Sequence, residues 1–362
     1  MLKIPTYQDC VNICNQTDNQ FYESQFSVDG YKISIFNYRY VTYQDFFKFD
    51  AFELRGLTFV FNLDGSIYNR FLLMEKFFNI NENESTSFEL VKNKKIKSVY
   101  LKEDGSIINF IELPNGRILA KSKTSFDSEQ AQIAQKLYDN NPKINHFVNN
   151  SIQNGINPIF ELVGPKNRVV LKYDITELIL IRLRDNISGN YLDIDTTDFN
   201  IPLRFSFSLM DMINLKSELV NIEGWIVEFV DGQKIKIKTD WYLSLHKIFT
   251  DFSQREDYLI TLILDEKIDD VLSVLEFGSE SRLFVENIIS KTHNKINHIK
   301  LEINRLINDY DGDRKKFALK YHNDEYFSIA VKSISNQDTE QLIKEFIKKK
   351  TYRLNDARQW LD

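Results

Sequence analysis

The chain has 362 residues, a net charge of −6 and 43% hydrophobic residues. That is enough apolar material for a buried core, and a length that favours two domains, or one large domain with an appendage. No run approaches the ~18 apolar residues of a membrane span, and the acidic balance excludes a generic polyanion binder, although a local basic groove can act on an acidic protein.

Residues 1–6 hold no apolar signal region, so a cytoplasmic protein is expected. Cys10 and Cys14 are the only two cysteines. Their helical spacing fits ordinary packing, and two cysteines cannot make a zinc site alone. Arg55 and Lys76 are cations set in apolar surroundings. Phe78, two residues after Lys76, can lie against a base or pack in the core. Lys92, Lys94, Lys95 and Lys97 form a basic cluster that composition alone reads as a solvated face.

The alternating run 96–101 precedes Lys102-Glu103-Asp104-Gly105-Ser106, and the apolar run 107–110 follows. This pattern predicts a lysine between two strands, at the mouth of a turn. Asn115-Gly116 predicts a hairpin between residues 108–113 and 117–123, and Asp231-Gly232 predicts another between 225–230 and 233–238. Asp127 with Gln130 predicts a helix start, with Pro142 beyond its end. Glu161 is a charge inside the apolar run 159–163, residues 178–181 read as a buried strand, and Glu223 opens Glu223-Gly224-Trp225-Ile226-Val227. In Lys236-Ile237-Lys238 the lysines face one side of a strand, an arrangement that is costly without an anion between them. A solvent-facing strand and a phosphate site both accommodate it.

Beyond His246, Gly and Pro nearly vanish. Val285, Ile288, Ile289, Thr292, Ile296, Ile299, Ile303, Leu306 and Tyr310 form one amphipathic face, with Gly312 as a stop. Leu342, Ile343, Phe346 and Ile347 mark another helix, followed by the basic residues Lys348, Lys349, Lys350 and Arg353. No internal repeat or low-complexity linker interrupts the chain. Residues 1–246 are therefore expected to be mixed and strand-rich, and 247–362 helical.

A nucleophilic lysine must shed its proton. At its ordinary pKa of about 10.4 only about one in a thousand is neutral near pH 7.4, so neighbouring cations or a metal are needed. The ordered fragments provide such neighbours. Lys-x-Asp-Gly, Ser122-Lys123-Thr124-Ser125, Phe160-Glu161, residues 178–184, Glu223-Gly224 and Lys236-Ile237-Lys238 together resemble the motif set of the covalent nucleotidyltransferases, which comprise DNA ligases, RNA ligases and capping enzymes. Ile35-Phe36-Asn37-Tyr38, Met74-Glu75-Lys76-Phe77-Phe78-Asn79, Pro165-x-Asn167-Arg168 and Lys236 to Tyr242 are similar to the phage-type RNA ligase 1 family, the ATP-dependent, tRNA-repairing RNA ligases of T-even phages. Gly164 and Trp225 stand where that pattern has Ala and Tyr.

The resemblance implies an α+β fold, with a nucleotidyltransferase domain of antiparallel sheets and flanking helices (an ATP-grasp-like ligase core) over residues 1–246. An all-α domain over 247–362 would choose the RNA or tRNA substrate. It implies that Lys102 carries AMP, that Tyr38, Arg55, Lys76, Phe78, Lys123, Lys236 and Lys238 contact ATP, and that Glu161 binds the nucleotide sugar. Glu223 would support the metal-dependent steps, Tyr242 would serve ligation, and Asp269 with Asp270 would lie near magnesium, with manganese as an alternative. The expected partners are ATP and single-stranded RNA or nicked tRNA ends, and the expected state is a monomer. A capping guanylyltransferase or DNA ligase, which would append a β-barrel after the last lysine motif, and a non-catalytic RNA-binding protein on a ligase scaffold are the alternatives.

Overall fold

The structure is a computed structural model that describes residues 4–17, 20–167, 171–194, 199–245, 256–275, 278–335, 337–352 and 357–361. The chain divides into two compact units, Met1–Leu245 and His246–Asp362.

The first unit contains strands β1 (Phe21–Val28), β2 (Tyr31–Tyr38), β3 (Leu57–Phe61), β4 (Ile67–Phe71), β5 (Phe78–Asn79), β6 (Ile96–Lys102) and β7 (Ser106–Glu112). It continues with β8 (Ile118–Lys121), β9 (Ile156–Val163), β10 (Glu177–Asp185), β11 (Tyr191–Leu192), β12 (Arg204–Phe205), β13 (Gly224–Phe229) and β14 (Lys234–Lys238). They form three sheets, ordered β1-β2-β3-β4, β11-β10-β9-β7-β8 and β12-β6-β13-β14-β5. Pairing is antiparallel except between β14 and β5.

Strand alternation decides what each face carries. In the third sheet Val99, Trp225, Val227, Ile235 and Ile237 point into one core with Leu209 and Met212 of the helix Leu209–Leu215. Tyr100, Lys102, Lys236 and Lys238 are left on the other face. In the second sheet Ile108, Phe110, Phe160, Leu178 and Leu180 pack with residues of the helices Glu129–Asn140 and Pro142–Gln153, and Glu161 is left on the opposite face. The two polar faces confront each other: the Arg182 guanidinium of β10 lies 3.8 Å over the Tyr100 ring of β6.

Both expected hairpins are present. Gly116 and Gly232 adopt positive φ of 81° and 88° at the β7–β8 and β13–β14 turns, a region glycine enters without steric cost. The strands around Lys102 are present but do not pair with each other. β6 belongs to the third sheet and β7 to the second, so residues 103–105 cross from one sheet to the other. The expected helix begins at the Ser128 cap rather than Asp127, with Ser128 Oγ accepting from the Ala131 N–H. Pro142 does more than stop this helix. It opens the next, where its missing N–H costs nothing.

Cys10 and Cys14 are buried on the helix Tyr7–Gln16, in the cluster that holds Phe21, Phe36 and Phe46.

In the second unit the helices include Glu256–Leu264, Ile268–Val274, Glu280–Asn308, Arg314–Tyr321, Phe327–Ile334 and Thr339–Thr351. No strand occurs among its described residues. The long helix buries Val285, Ile288, Thr292, Ile296, Ile299, Ile303 and Leu306. It ends at Asn308, so Tyr310 lies beyond it and donates its hydroxyl to the Gly312 carbonyl at 3.0 Å. No helix among the described residues is long and apolar enough to cross a membrane.

The β14 alternation has a measurable consequence. Ile237 is fully buried, so Ile237→Ala should lower unfolding stability by about 2–5 kcal/mol. Lys236→Ala, on the opposite face, should change it by less than about 1 kcal/mol. Chemical denaturation of the two variants checks the facing, and comparable losses would contradict it.

Candidate active site

Lys102 is the last residue of β6, and β13 runs antiparallel beside it, with Gly224 opposite Lys102 and opposite Lys238 of β14. Gly224 has φ 149°, and a Cβ there would lie 2.0 Å from the Ile237 carbonyl oxygen, so only glycine fits between the two lysine strands. Glu223, next to it, is buried, and its carboxylate spans both cations. Lys102 Nζ donates to Oε2 at 2.7 Å, and Lys238 Nζ lies 3.2 Å from Oε1. The charge conflict on the β14 face is thus met partly by Glu223.

Glu161 enters from β9 on the facing sheet. Its Oε1 accepts the Gly105 N–H at 3.1 Å. Burial pushes its carboxyl up, Lys102 pulls it back, the nearby Glu223 pushes it up again, and the result is about 7. A side chain at Gly105 would meet the Leu162 carbonyl oxygen at 2.2 Å, which explains the glycine of the Lys-x-Asp-Gly turn. Asp104 of that turn is buried: its Oδ1 accepts from the Tyr242 hydroxyl at 2.9 Å and its Oδ2 from the Leu171 N–H at 2.6 Å. Tyr242 is itself buried and supports the turn from beneath.

Two of the remaining cations share one aromatic ring. Lys123 Nζ stands 4.9 Å and Lys76 Nζ 5.9 Å from the Tyr38 ring centroid, and Lys76 Nζ is 5.0 Å from that of Phe78. Phe78 is buried among Phe46, Phe47 and Phe52. Arg55 Nη1 donates to the Met74 carbonyl at 3.2 Å, and Lys236 Nζ lies 5.2 Å from the Phe77 ring centroid. Asp269 and Asp270 are in the second unit, on the helix Ile268–Val274. Consecutive helical residues diverge by about 100°, and no cluster of three or more His, Cys, Asp or Glu side chains suited to a metal occurs among the described residues. Arg168 and Arg353 lie outside the described residues.

A sequence-family model described as RNA ligase matches residues 53–242, just over half of the chain and the whole span from Arg55 to Tyr242. The chain belongs to the phage-type RNA ligase 1 family. A protein of Thermovibrio ammonificans named "Putative RNA ligase" is 29% identical over 269 residues, covering 71% of this chain and 69% of that one. Among solved structures, an archaeal ATP-dependent RNA ligase is similar with a TM-score of 0.47 at 9% identity, over 85% of this chain and 80% of that one. A Naegleria gruberi RNA ligase is similar with a TM-score of 0.38 at 15% identity, over 49% and 58% respectively.

One buried cation of this ligase belongs to none of the sequence motifs. Lys121, at the end of β8, is fully buried and donates to the Ser122 carbonyl at 3.0 Å. Burial, then the nearby Arg55, brings its ammonium down to about 7. Its position at the end of a strand of otherwise apolar residues was the available signal.

The raised Glu161 carboxyl sets a sign for stability. Ionising it in the folded protein is harder than in the unfolded chain, where it titrates near 4.3. The folded state therefore loses stability as pH rises from about 4.3 to about 7, by at most about 4 kcal/mol at ~1.4 kcal/mol per unit. Glu161→Gln should melt above wild type at pH 8, and the gap should narrow towards pH 5. Melting curves at the two pH values test this, and a gap independent of pH would refute it.

Proposed function

We propose that the protein is an ATP-dependent RNA ligase working through a lysyl-AMP intermediate on Lys102. The observation that carries this is the Glu223 carboxylate gripping Lys102 and Lys238 together. A buried acid 2.7 Å from the amine is placed to take its proton as the N–P bond to the ATP α-phosphorus forms and pyrophosphate leaves. The AMP then passes to an RNA 5′-phosphate. A 3′-hydroxyl attacks that activated phosphate, closing the phosphodiester and releasing AMP.

In this reading Tyr38, Arg55, Lys76, Phe78, Lys123, Lys236 and Lys238 bind ATP, chiefly its phosphates, and Glu161 binds the ribose. Positioning and charge neutralisation supply the catalysis. Glu223, the carboxylate bonded to Lys102, is the donor left for a metal, and one carboxylate fits a hydrated magnesium or manganese ion shared with substrate phosphates rather than an all-protein cage. The metal would neutralise phosphate charge.

Incubation with α-labelled ATP tests the assignment. Wild type should become labelled. Lys102→Arg, whose guanidinium stays protonated, should remain folded and lose the label at least ~100-fold. Label retained by that variant would move the nucleophile elsewhere.

We assign substrate choice, with nicked tRNA as the preferred RNA, to the helical unit. Its support is basic surface on the helix Thr339–Thr351, whose last turn carries Lys348, Lys349 and Lys350. Lys348 is engaged by Asp265 at 2.6 Å and Lys350 by Glu325 at 2.7 Å, while Lys349 is exposed. Protein ending at Leu245 should still adenylylate itself and join simple RNA ends to some degree, but lose preference for a nicked tRNA over unstructured RNA of equal length. The preference of the full chain should fall as salt rises. Equal product ratios from the two proteins would make the helical unit a stabilising element only.

A further inference from the structure

Behind the cations assigned to the nucleotide lies a second set of charges. Glu53, Glu75, Arg184 and Lys234 come from four distant stretches, and none is more than 6% exposed. Arg184 grips the Glu53 carboxylate with both terminal nitrogens, Nη1 to Oε2 at 2.9 Å. It also donates to the Leu73 carbonyl and, through Nε, to the Gly189 carbonyl at 2.9 Å, and its Nη2 lies 3.8 Å from Glu75 Oε2. Lys234 Nζ donates to Glu75 Oε1 at 2.7 Å, and the Tyr191 hydroxyl donates to Oε2. Burial pushes the Glu75 carboxyl up, but Lys234 and then Arg184 outweigh it and hold it near 2.

The placement of these groups is what matters. Glu53 is two residues from Arg55, Glu75 adjoins Lys76, and Lys234 is two residues from Lys236 on the same face of β14. The carbonyls of Leu73 and Met74 are held by Arg184 and Arg55 respectively, so the segment leading to Lys76 is clamped from both sides. Well-packed apolar residues generally fill such a volume at lower cost than buried ion pairs, but they would not fix direction. A preorganised set of donors must be held in place before the charge it meets develops.

We propose that Glu53, Glu75, Arg184 and Lys234 are positioning residues that set the spacing of Arg55, Lys76 and Lys236 for the triphosphate, and so act on lysyl-AMP formation rather than on sealing. This rests on the ATP reading above. The first step expels pyrophosphate and requires those cations around it. Joining an already adenylylated RNA end involves no triphosphate.

The test compares two reactions of one full-length preparation: self-adenylylation over a range of ATP concentrations, and sealing of pre-adenylylated RNA without ATP. The variants are Glu75→Gln and Arg184→Lys. A third, Glu75→Gln with Lys234→Met, leaves no lone charge on that pair and guards against unfolding of the singles. Melting temperatures are measured throughout. Each folded variant should need at least ~10-fold more ATP for half-maximal adenylylation, while sealing changes less than ~3-fold. Parallel loss of both reactions, loss of neither, or unfolding of all three variants would overturn the inference and leave the network as fold support. Wild type that takes no label from ATP but seals would overturn the nucleotide reading and this inference with it.

Discussion

Everything in the candidate site hangs on one carboxylate buried between two ammonium groups. Three adjacent strands, β6, β13 and β14, meet at Lys102, Glu223 and Lys238, and the spacing is enforced by a glycine at which no Cβ fits. A single ion pair on a surface is worth little. A carboxylate shared by two lysines inside a cleft is different, because removing any member leaves a charge without its partner in a poorly solvated place. The apolar alternation of the same strands holds the trio in register, with Trp225, Ile235 and Ile237 packed directly beneath.

The second constraint is the crossing of the chain from sheet to sheet just after Lys102. A hairpin at this point would have put the lysine on a mobile surface turn. Instead, residues 103–105 bridge two layers and are pinned at every residue. Glu103 accepts from the Tyr173 hydroxyl at 3.0 Å, Asp104 from Tyr242 and the Leu171 N–H, and Gly105 donates to Glu161. The acid that perturbs the site electrostatically and the backbone that positions the lysine are therefore one connected piece.

Local signals were legible in the sequence wherever the physics was local. The two glycine turns, the strand containing Glu161, the Cys10 and Cys14 helix and the long amphipathic helix each follow from spacing or turn chemistry within about ten residues. The motif order led to Lys102, Glu161, Glu223, Lys236 and Lys238, which the fold brings to two confronting faces. What escaped was long-range pairing. Nothing near residue 102 says that β6 and β7 belong to different sheets, and nothing near Glu53 or Lys234 announces partners more than a hundred residues away. Lys121 escaped for a related reason: a charged residue ending a strand looks like a surface residue until the sheet packed over it is known.

Both thiols of the chain are buried on the helix Tyr7–Gln16, and burial raises both, Cys14 to about 12 and Cys10 further. Thiolate, the form that alkylates, is then vanishingly scarce at neutral pH. The native chain is thus a silent background for maleimide chemistry. A cysteine introduced at an exposed position such as Leu63 or Leu319 would take a dye or spin label alone, with no need to engineer the native pair away.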